Sequence, residues 1–295
     1  MGLAASLSLA PARARPGSSR EAAIRALIQD VYADLPPSGD VLGEFRRRGV
    51  PTELFADARS ALGRLARCPD VLVVMGDLHV MNAVLDHHRL ADCILPPYPA
   101  PLRDLLHRRI WEGTLGELRA GVTGSMSPLF VKPRQSHLFA GAVVRSLDVV
   151  AAHDSVTPLT ELICAEVVGW NVECRTYVRD GRVLGSHVYR ILGIRQCVPL
   201  DNFTGPPALT VDKEVVAEAV ARMSRARAGV AGYCLDFGVL ATGQTALIEA
   251  NDALALANCG LPIKDYVDLH IVRWQELMRR AGRPGAPRPV TPAGD

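Results

Sequence analysis

The hydrophobic and polar positions of the first hundred residues alternate between helical and extended spacing. Apolar side chains at helical spacing over 20–34 predict an amphipathic helix, and a second helix is predicted over 53–66. Residues 70–75 read Asp-Val-Leu-Val-Val-Met, which is the β-branched density of a buried parallel strand. Gly76-Asp77 then allows a helix to begin. These segments indicate a small α/β lobe, followed by the proline-rich extended connector 96–101.

The middle of the chain changes character at Leu129-Phe130-Val131-Lys132-Pro133, which predicts a strand that ends in a lysine. Helices are expected before it, and an apolar segment that contains Glu166 follows it. An alternating strand over 173–178 then meets an Asp-Gly turn. The remaining expected elements are helices over 102–111, 114–120, 212–228 and 266–281, a returning strand over 183–189, and loops over 196–210 and 252–262.

Residues 230–251 predict a buried hairpin with a turn at Thr242-Gly243-Gln244. Residues two apart on a strand project to one face, so Glu249 and Asn251 lie together, and Asp236 on the first strand can reach them. These are hard oxygen donors, which suit Mg²⁺ better than zinc or copper. The alternative is that Asp236 caps a turn and the other two side chains lie at a solvated strand end.

Composition narrows the function classes. The 295-residue chain is 48% hydrophobic, carries a net charge of +2, and has no apolar run long enough to span a membrane. Basic and acidic residues are interspersed, so neither a nucleic-acid partner nor a membrane partner is expected. The seven cysteines form no Cys-x-x-Cys pair, which fits reduced thiols in a cytoplasmic protein. Only three of the 33 basic residues are lysines, which makes Lys132 more informative than any one arginine.

A strand lysine, an apolar segment with an embedded glutamate, a Glu-x-Arg strand and Asp…Glu-x-Asn occur in one order. This order resembles the ATP-grasp superfamily of carboxylate–amine and carboxylate–thiol ligases over about 129–275. The resemblance implies an α+β, ATP-grasp fold in which two α+β lobes close on ATP after an α/β pre-ATP-grasp lobe. The expected division is a flexible leader 1–19, a pre-ATP-grasp lobe 20–101, a helical linker 102–128, an ATP-grasp domain 129–281 (small lobe 129–168, large lobe 169–281), and a disordered tail 282–295.

The resemblance also implies a role for each matching residue. Lys132 would contact the nucleotide phosphates, and Arg175 would face the phosphates or an acyl intermediate; these two are the expected catalytic residues. Glu173 would accept hydrogen bonds from the ribose hydroxyls. The backbone around Glu166, Val167 and Val168 would read the adenine edge, and Asp236, Glu249 and Asn251 would hold Mg²⁺. Cross-strand pairing with an arginine remains an alternative for Glu173.

The implied reaction is ATP- and Mg²⁺-dependent activation of a carboxylate as an acyl phosphate, followed by amide formation and release of ADP. The substrates would be small-molecule or peptide carboxylates and amines, in specialised metabolism or peptide modification, and the resemblance allows a homodimer. Residues 134–141 depart from the glycine-rich phosphate loop of many relatives, so Arg134 or His137 would take over part of the phosphate grip. A phosphotransferase and a non-catalytic nucleotide-binding regulator remain the alternatives.

Overall fold

The computed structural model of the chain describes residues 25–33, 40–68, 71–121, 126–134 and 138–282. The predicted leader over 1–19 lies outside these residues, as do 283–295 of the predicted tail and His137. The described residues contain no helix that is long and apolar enough to cross a membrane. All seven cysteines are free thiols.

A three-stranded parallel sheet with strand order β2-β1-β3 forms the N-terminal lobe. Its elements are β1 (Arg25–Gln29), α1 (Asp30–Ala33), α2 (Val41–Arg47), β2 (Thr52–Phe55), α3 (Ala58–Arg67), β3 (Val71–Met75) and α4 (Leu78–His87). Every residue of β3 is buried, as expected for a parallel strand that is covered on both faces. Side chains of Asp57 and Asp77 accept hydrogen bonds from the first turns of α3 and α4 and fix where these helices begin.

Two predicted helices in this part of the chain are wrong in part. Residues 25–29 of the predicted helix 20–34 form the central strand β1, and only Asp30–Ala33 is helical. Leu27 and Ile28 are both buried because this strand is covered on both faces, so the apolar spacing did not distinguish a strand from a helix. The helix predicted over 53–66 begins only at Ala58, because Thr52–Phe55 pairs with β1.

A four-stranded antiparallel sheet with order β4-β7-β5-β6 follows. Its elements are β4 (Ile110–Thr114), α5 (Leu115–Ala120), β5 (Leu129–Pro133), β6 (Ala142–Val144), α6 (Asp148–Ala151) and β7 (Glu161–Glu166). The helix predicted over 102–111 is wrong after Leu106: a 3-10 helix over Ala100–Leu106 ends at His107, which has a φ of 47°. Ile110 and Trp111 instead pair with β7, whose free edge takes their backbone hydrogen bonds.

A five-stranded antiparallel sheet with order β10-β9-β8-β11-β12 forms the last layer. Its strands and the two helices of this part are β8 (Trp170–Arg179), β9 (Arg182–Ile191), β10 (Ile194–Pro199), α7 (Lys213–Arg225), β11 (Gly232–Leu240), β12 (Thr245–Asp252) and α8 (Ile263–Arg280). The predicted hairpin turns are present, and Gly181 and Gly243 adopt the positive φ that they require. β10 replaces the beginning of the loop predicted over 196–210.

The closing helix α8 connects the two ends of the chain. Its buried residues belong to the same apolar core as the three-stranded sheet, and Trp274 donates a hydrogen bond from Nε1 to the Val71 carbonyl at 3.3 Å. On its other side α8 contacts β11 so closely that a Cβ on Gly232 would lie 2.6 Å from the Leu269 carbonyl oxygen. Gly232 is therefore required by the close approach of this helix to the strand.

A buried ion network fixes α8 to the end of β12. The guanidinium of Arg273, which is fully buried, donates to both carboxylate oxygens of Asp252 at 2.8 and 2.7 Å. It also donates to Glu276 and to the Cys93 carbonyl. Asp252 in turn accepts from the Leu95 backbone amide at 3.0 Å. One arginine thus holds together the helix, the hairpin and the extended connector.

We expect Arg273→Met to lower the free energy of unfolding by about 3–5 kcal/mol, because it leaves the Asp252 carboxylate and the Cys93 carbonyl buried without this partner. Urea unfolding monitored by circular dichroism measures the loss. Arg280, which pairs with Glu276 at the surface, is the control, and Arg280→Met should cost less than about 1 kcal/mol. Equal losses in the two variants would contradict a structural role for the buried network.

Candidate active site

The side chains of the candidate site lie along one row that crosses the five-stranded sheet. Glu249 on β12 is directly opposite Asp236 on β11, Asp236 is opposite Arg175 on β8, and Arg175 is opposite His187 on β9. Directly opposed residues of antiparallel strands project to the same face. Asn251 projects from this face two residues beyond Glu249. The strand register therefore brings the predicted carboxylates, amide and arginine together.

Asp236 is buried and is held by Arg175. The guanidinium donates from Nε and from one terminal nitrogen to the two carboxylate oxygens at 2.9 and 2.8 Å, which is the bidentate geometry of a strong ion pair. Burial raises the pKa of Asp236, and the Arg175 charge opposes this rise. Arg175 itself stays protonated, because the charges around it outweigh its own burial and raise its pKa well above the ordinary value.

Lys132 reaches this row from the four-stranded sheet. Its ammonium nitrogen lies 2.7 Å from Oε2 of Glu249 and 4.9 Å from the centre of the Tyr98 ring. Burial lowers the pKa of Lys132, but the Glu249 carboxylate and Tyr98 outweigh it, so the net shift is upward. Burial likewise raises the pKa of Glu249, but Lys132 and Asn251 outweigh it and the net shift is downward. Both groups therefore carry their charges.

Asn251 joins the two carboxylates. Its side-chain nitrogen donates to Asp236 at 3.1 Å and to Glu249 at 3.2 Å. Two carboxylates and an amide oxygen that share one face are hard donors, so the residues present fit Mg²⁺. Over the described ranges, no group of three or more histidine, cysteine, aspartate or glutamate side chains is arranged to hold a metal. The donor set is thus two acids and an amide, with Arg175 and Lys132 balancing the negative charge.

Glu173 lies two residues before Arg175 on the same face of β8, where two groups hold its carboxylate. The Tyr189 hydroxyl donates to it at 2.8 Å and Arg190 donates at 2.7 Å. The cross-strand arginine that the sequence left open is therefore present. Arg190 is half-exposed whereas Glu173 is buried, so the carboxylate faces the protein more than the solvent.

The expected adenine-binding segment lies at the end of β7. Glu166 is exposed, and one of its carboxylate oxygens accepts a hydrogen bond from the backbone amide of Arg109 at 2.9 Å. Val167 is exposed and Val168 is half-buried, and both follow the strand. Leu162–Ala165, just before them, is buried. The segment thus offers exposed backbone beside an apolar strand, on the opposite sheet from Asp236.

Two side chains near Lys132 were missed by the sequence analysis. Tyr98 comes from the connector, where its aromatic ring carries no motif. Arg108 is one of thirty arginines, but its guanidinium donates to the carbonyls of Leu247 and Ile248 at 2.8 and 2.7 Å. Ile248 is the extra residue of a β-bulge in β12, so Arg108 satisfies carbonyls that the ladder leaves free. The bulge could not be read from apolar alternation.

Trp170 fixes the orientation of Arg108, whose guanidinium carbon lies 5.2 Å from the ring centre. The indole lies over Gly238 of β11, where a Cβ would be only 2.3 Å from a ring carbon. Gly238 is therefore required by this stacking. Arg134, the other expected phosphate ligand, pairs with Glu112 and Glu161 at the surface.

A cavity of about 580 Å³ opens beside Lys132 and Glu249. Four parts of the chain line it: α4, the segment 91–98, the edge of the four-stranded sheet, and residues 249–256. The cavity therefore connects the charged row with the N-terminal lobe.

Comparisons with known proteins agree with this arrangement of sheets. The sequence model of an ATP-grasp domain family, the second family of its clade, matches residues 105–269, which is more than half of the chain. A search of curated protein sequences found no match.

Solved structures of similar fold support the same assignment. D-cycloserine synthetase DcsG is 16% identical, with 84% of this chain and 98% of that chain covered and a TM-score of 0.55. L-amino acid ligase from Bacillus licheniformis is 13% identical, with 86% and 75% covered and a TM-score of 0.54. N5-carboxyaminoimidazole synthase from Aspergillus clavatus, solved with ADP and its ribonucleotide, is 15% identical, with 88% and 78% covered and a TM-score of 0.53. At these identities the likeness shows the fold, and the expected ATP-grasp fold is confirmed.

We expect Lys132→Met to destabilise the protein by about 1–3 kcal/mol at pH 7, because Glu249 loses its cation while staying largely buried. In the wild type the lowered pKa of Glu249 contributes stability above its unfolded value, and this contribution is lost as the pH falls. The difference between wild type and variant should therefore shrink below about pH 4.5. Urea unfolding at pH 4 and pH 7 measures it.

Lys213→Met is the matched control, since Lys213 forms an exposed ion pair with Asp201. Its unfolding should follow that of the wild type at both pH values. A Lys132→Met loss that stays the same at pH 4 would show that packing, not the charge pair, causes it.

Proposed function

The chain belongs to the ATP-grasp family, and from this premise we propose that it is an ATP- and Mg²⁺-dependent ligase. In this proposal a carboxylate is activated as an acyl phosphate and joined to an amine, with release of ADP. The proposed lobes are those expected from the sequence, with a pre-ATP-grasp lobe over 20–101 and an ATP-grasp domain over 129–281.

The contact between Lys132 and Glu249 carries the proposal. These residues lie 117 positions apart on different sheets, and their side chains meet at 2.7 Å. A lysine that faces two carboxylates across a cleft suits a ligand with several negative charges and a divalent cation. In the absence of that ligand the lysine and the carboxylate neutralise each other.

Each residue of the row has a proposed task toward ATP. Lys132 and Arg175 bind the phosphate oxygens, and the arginine fork can contact two oxygens at once. The backbone of Glu166, Val167 and Val168 contacts the adenine edge. Glu173 accepts from the ribose hydroxyls, with Tyr189 and Arg190 holding its carboxylate in place. Asp236, Glu249 and Asn251 would hold Mg²⁺, which would offset the charge of the phosphates when bound.

The proposed reaction has two steps. A substrate carboxylate oxygen bonds to the γ-phosphorus while the bond to the ADP oxygen breaks, which gives an acyl phosphate and ADP. The amine nitrogen then bonds to the acyl carbon, phosphate leaves with the bonding electron pair, and the nitrogen loses a proton. The chain contributes position, charge and exclusion of water, since an acyl phosphate is readily hydrolysed. Lys132 and Arg175 are the proposed catalytic residues.

We expect Glu249→Gln to reduce ATP turnover by about 100-fold or more, since it removes one of two carboxylates that face the phosphates. ADP release in the presence of a carboxylate and hydroxylamine measures turnover, and the hydroxamate reports an acyl phosphate. Glu218→Gln, on the exposed face of α7, is the control and should leave ADP release unchanged. Wild-type turnover in Glu249→Gln would remove Glu249 from the proposed site.

Thermal melting with ATP plus Mg²⁺, with ATP plus EDTA and without ligand tests nucleotide binding separately. A ligand at a hundred times its dissociation constant adds about 2.7 kcal/mol, which moves the midpoint by several degrees. The proposal requires a shift that depends on both ATP and Mg²⁺. ADP with a stable phosphorylated product instead of a hydroxamate would indicate a phosphotransferase. Binding without ADP release would indicate a nucleotide-binding regulator.

A further inference from the structure

The cavity beside Lys132 and Glu249 has apolar surface that the proposed chemistry of ATP does not use. Eleven large hydrophobic side chains are exposed in the described part of the chain, and two of them, Leu78 and Ile94, line this cavity. Leu78 is 41% exposed and Ile94 is 38% exposed. Leu254 and Leu256 line the same space from the segment after β12. Exposed apolar side chains that converge on one cavity indicate a ligand that covers them.

The charges of the cavity wall are unequally satisfied. Four acidic residues line it, and three of them are paired: Glu112 with Arg134, Glu249 with Lys132, and Asp252 with Arg273. The fourth, Asp92, has no ion pair within the described residues. Its carboxylate lies on the same segment as Ile94. A free carboxylate beside an apolar wall suits a ligand that carries an ammonium group close to an apolar group.

We propose that this cavity binds the carboxylate substrate and selects a small apolar amino acid, with Leu78 and Ile94 contacting its side chain and Asp92 its ammonium group. The substrate carboxylate then faces Lys132 and the phosphate end of the cleft. This inference rests on the proposed function, because it assigns the cavity to the acid that ATP activates. The N-terminal lobe and the connector thereby determine specificity, whereas the two sheets bind the nucleotide.

The first test compares L-leucine, L-aspartate and 4-methylpentanoate as carboxylates, with ATP, Mg²⁺ and hydroxylamine. Leucine should have a KM at least about tenfold below that of aspartate, which places a second charge on the apolar wall. Leu78→Gln should raise the KM for leucine by about tenfold with kcat nearly unchanged, since it removes uniform binding. Leu54→Gln is the matched control, because Leu54 is also 41% exposed and lies on the same lobe outside the cavity.

The second test isolates the ammonium group. Asp92→Asn should raise the KM for leucine by about tenfold, through loss of a charge-assisted hydrogen bond, and leave 4-methylpentanoate unaffected. Asp86→Asn on α4, outside the cavity lining, is the control and should leave both acids unaffected. Equal use of aspartate and leucine would overturn the inference, as would a Leu78→Gln variant that behaves like Leu54→Gln.

Isothermal titration calorimetry with L-leucine, without ATP, separates this inference from the proposed function. Leucine binding that Leu78→Gln and Asp92→Asn weaken would support the cavity even if no acid released ADP, and the proposed function would then be wrong. Release of ADP with charged acids alone would leave the function in place and overturn the apolar specificity. Absence of leucine binding together with absence of leucine-dependent ADP release would also overturn it.

Discussion

The cost of burying carboxylates governs the arrangement around β12. Asp236, Glu249 and Asp252 all lie in or at the end of one hairpin, and each has a cation from a different part of the chain: Arg175, Lys132 and Arg273. A buried carboxylate without a partner costs several kcal/mol, so each acid fixes the position of its cation. Because the cations come from β8, β5 and α8, the hairpin determines how two sheets and the closing helix are placed.

The three ion pairs differ in what they can do. Arg273 is fully buried and also bonds Glu276 and the Cys93 carbonyl, so the Asp252 pair is a fixed joint. The pairs of Asp236 and Glu249 border the cleft instead, and Asn251 bridges them. An anionic ligand can compete there for Lys132 and Arg175 while a cation takes their place on the acids. The same electrostatic rule thus produces a permanent joint at one residue and an exchangeable site a few residues earlier.

The sequence was sufficient for elements whose identity depends on local chemistry. The Asp-Gly turn, the hairpin of 230–251 and the strand at Lys132 follow from turn residues and alternation, and all three are present. It was insufficient where long-range pairing decides the structure. Strand β1 is apolar on both faces and so was interpreted as a helix, and residues 110–111 became a strand because β7 lies beside them. Arg108 and Tyr98 escaped notice for the same reason, since a β-bulge and a connector bring them to Lys132.

The position of α8 has a consequence for biosynthesis. This helix, at residues 263–280, supplies much of the apolar surface that covers the three-stranded sheet at the beginning of the chain. On the ribosome the N-terminal strands emerge first, and their partner is among the last segments to be translated. The N-terminal lobe therefore cannot complete its core as an independent unit, although domains generally fold in the order of synthesis. Its folding is tied to completion of the whole polypeptide.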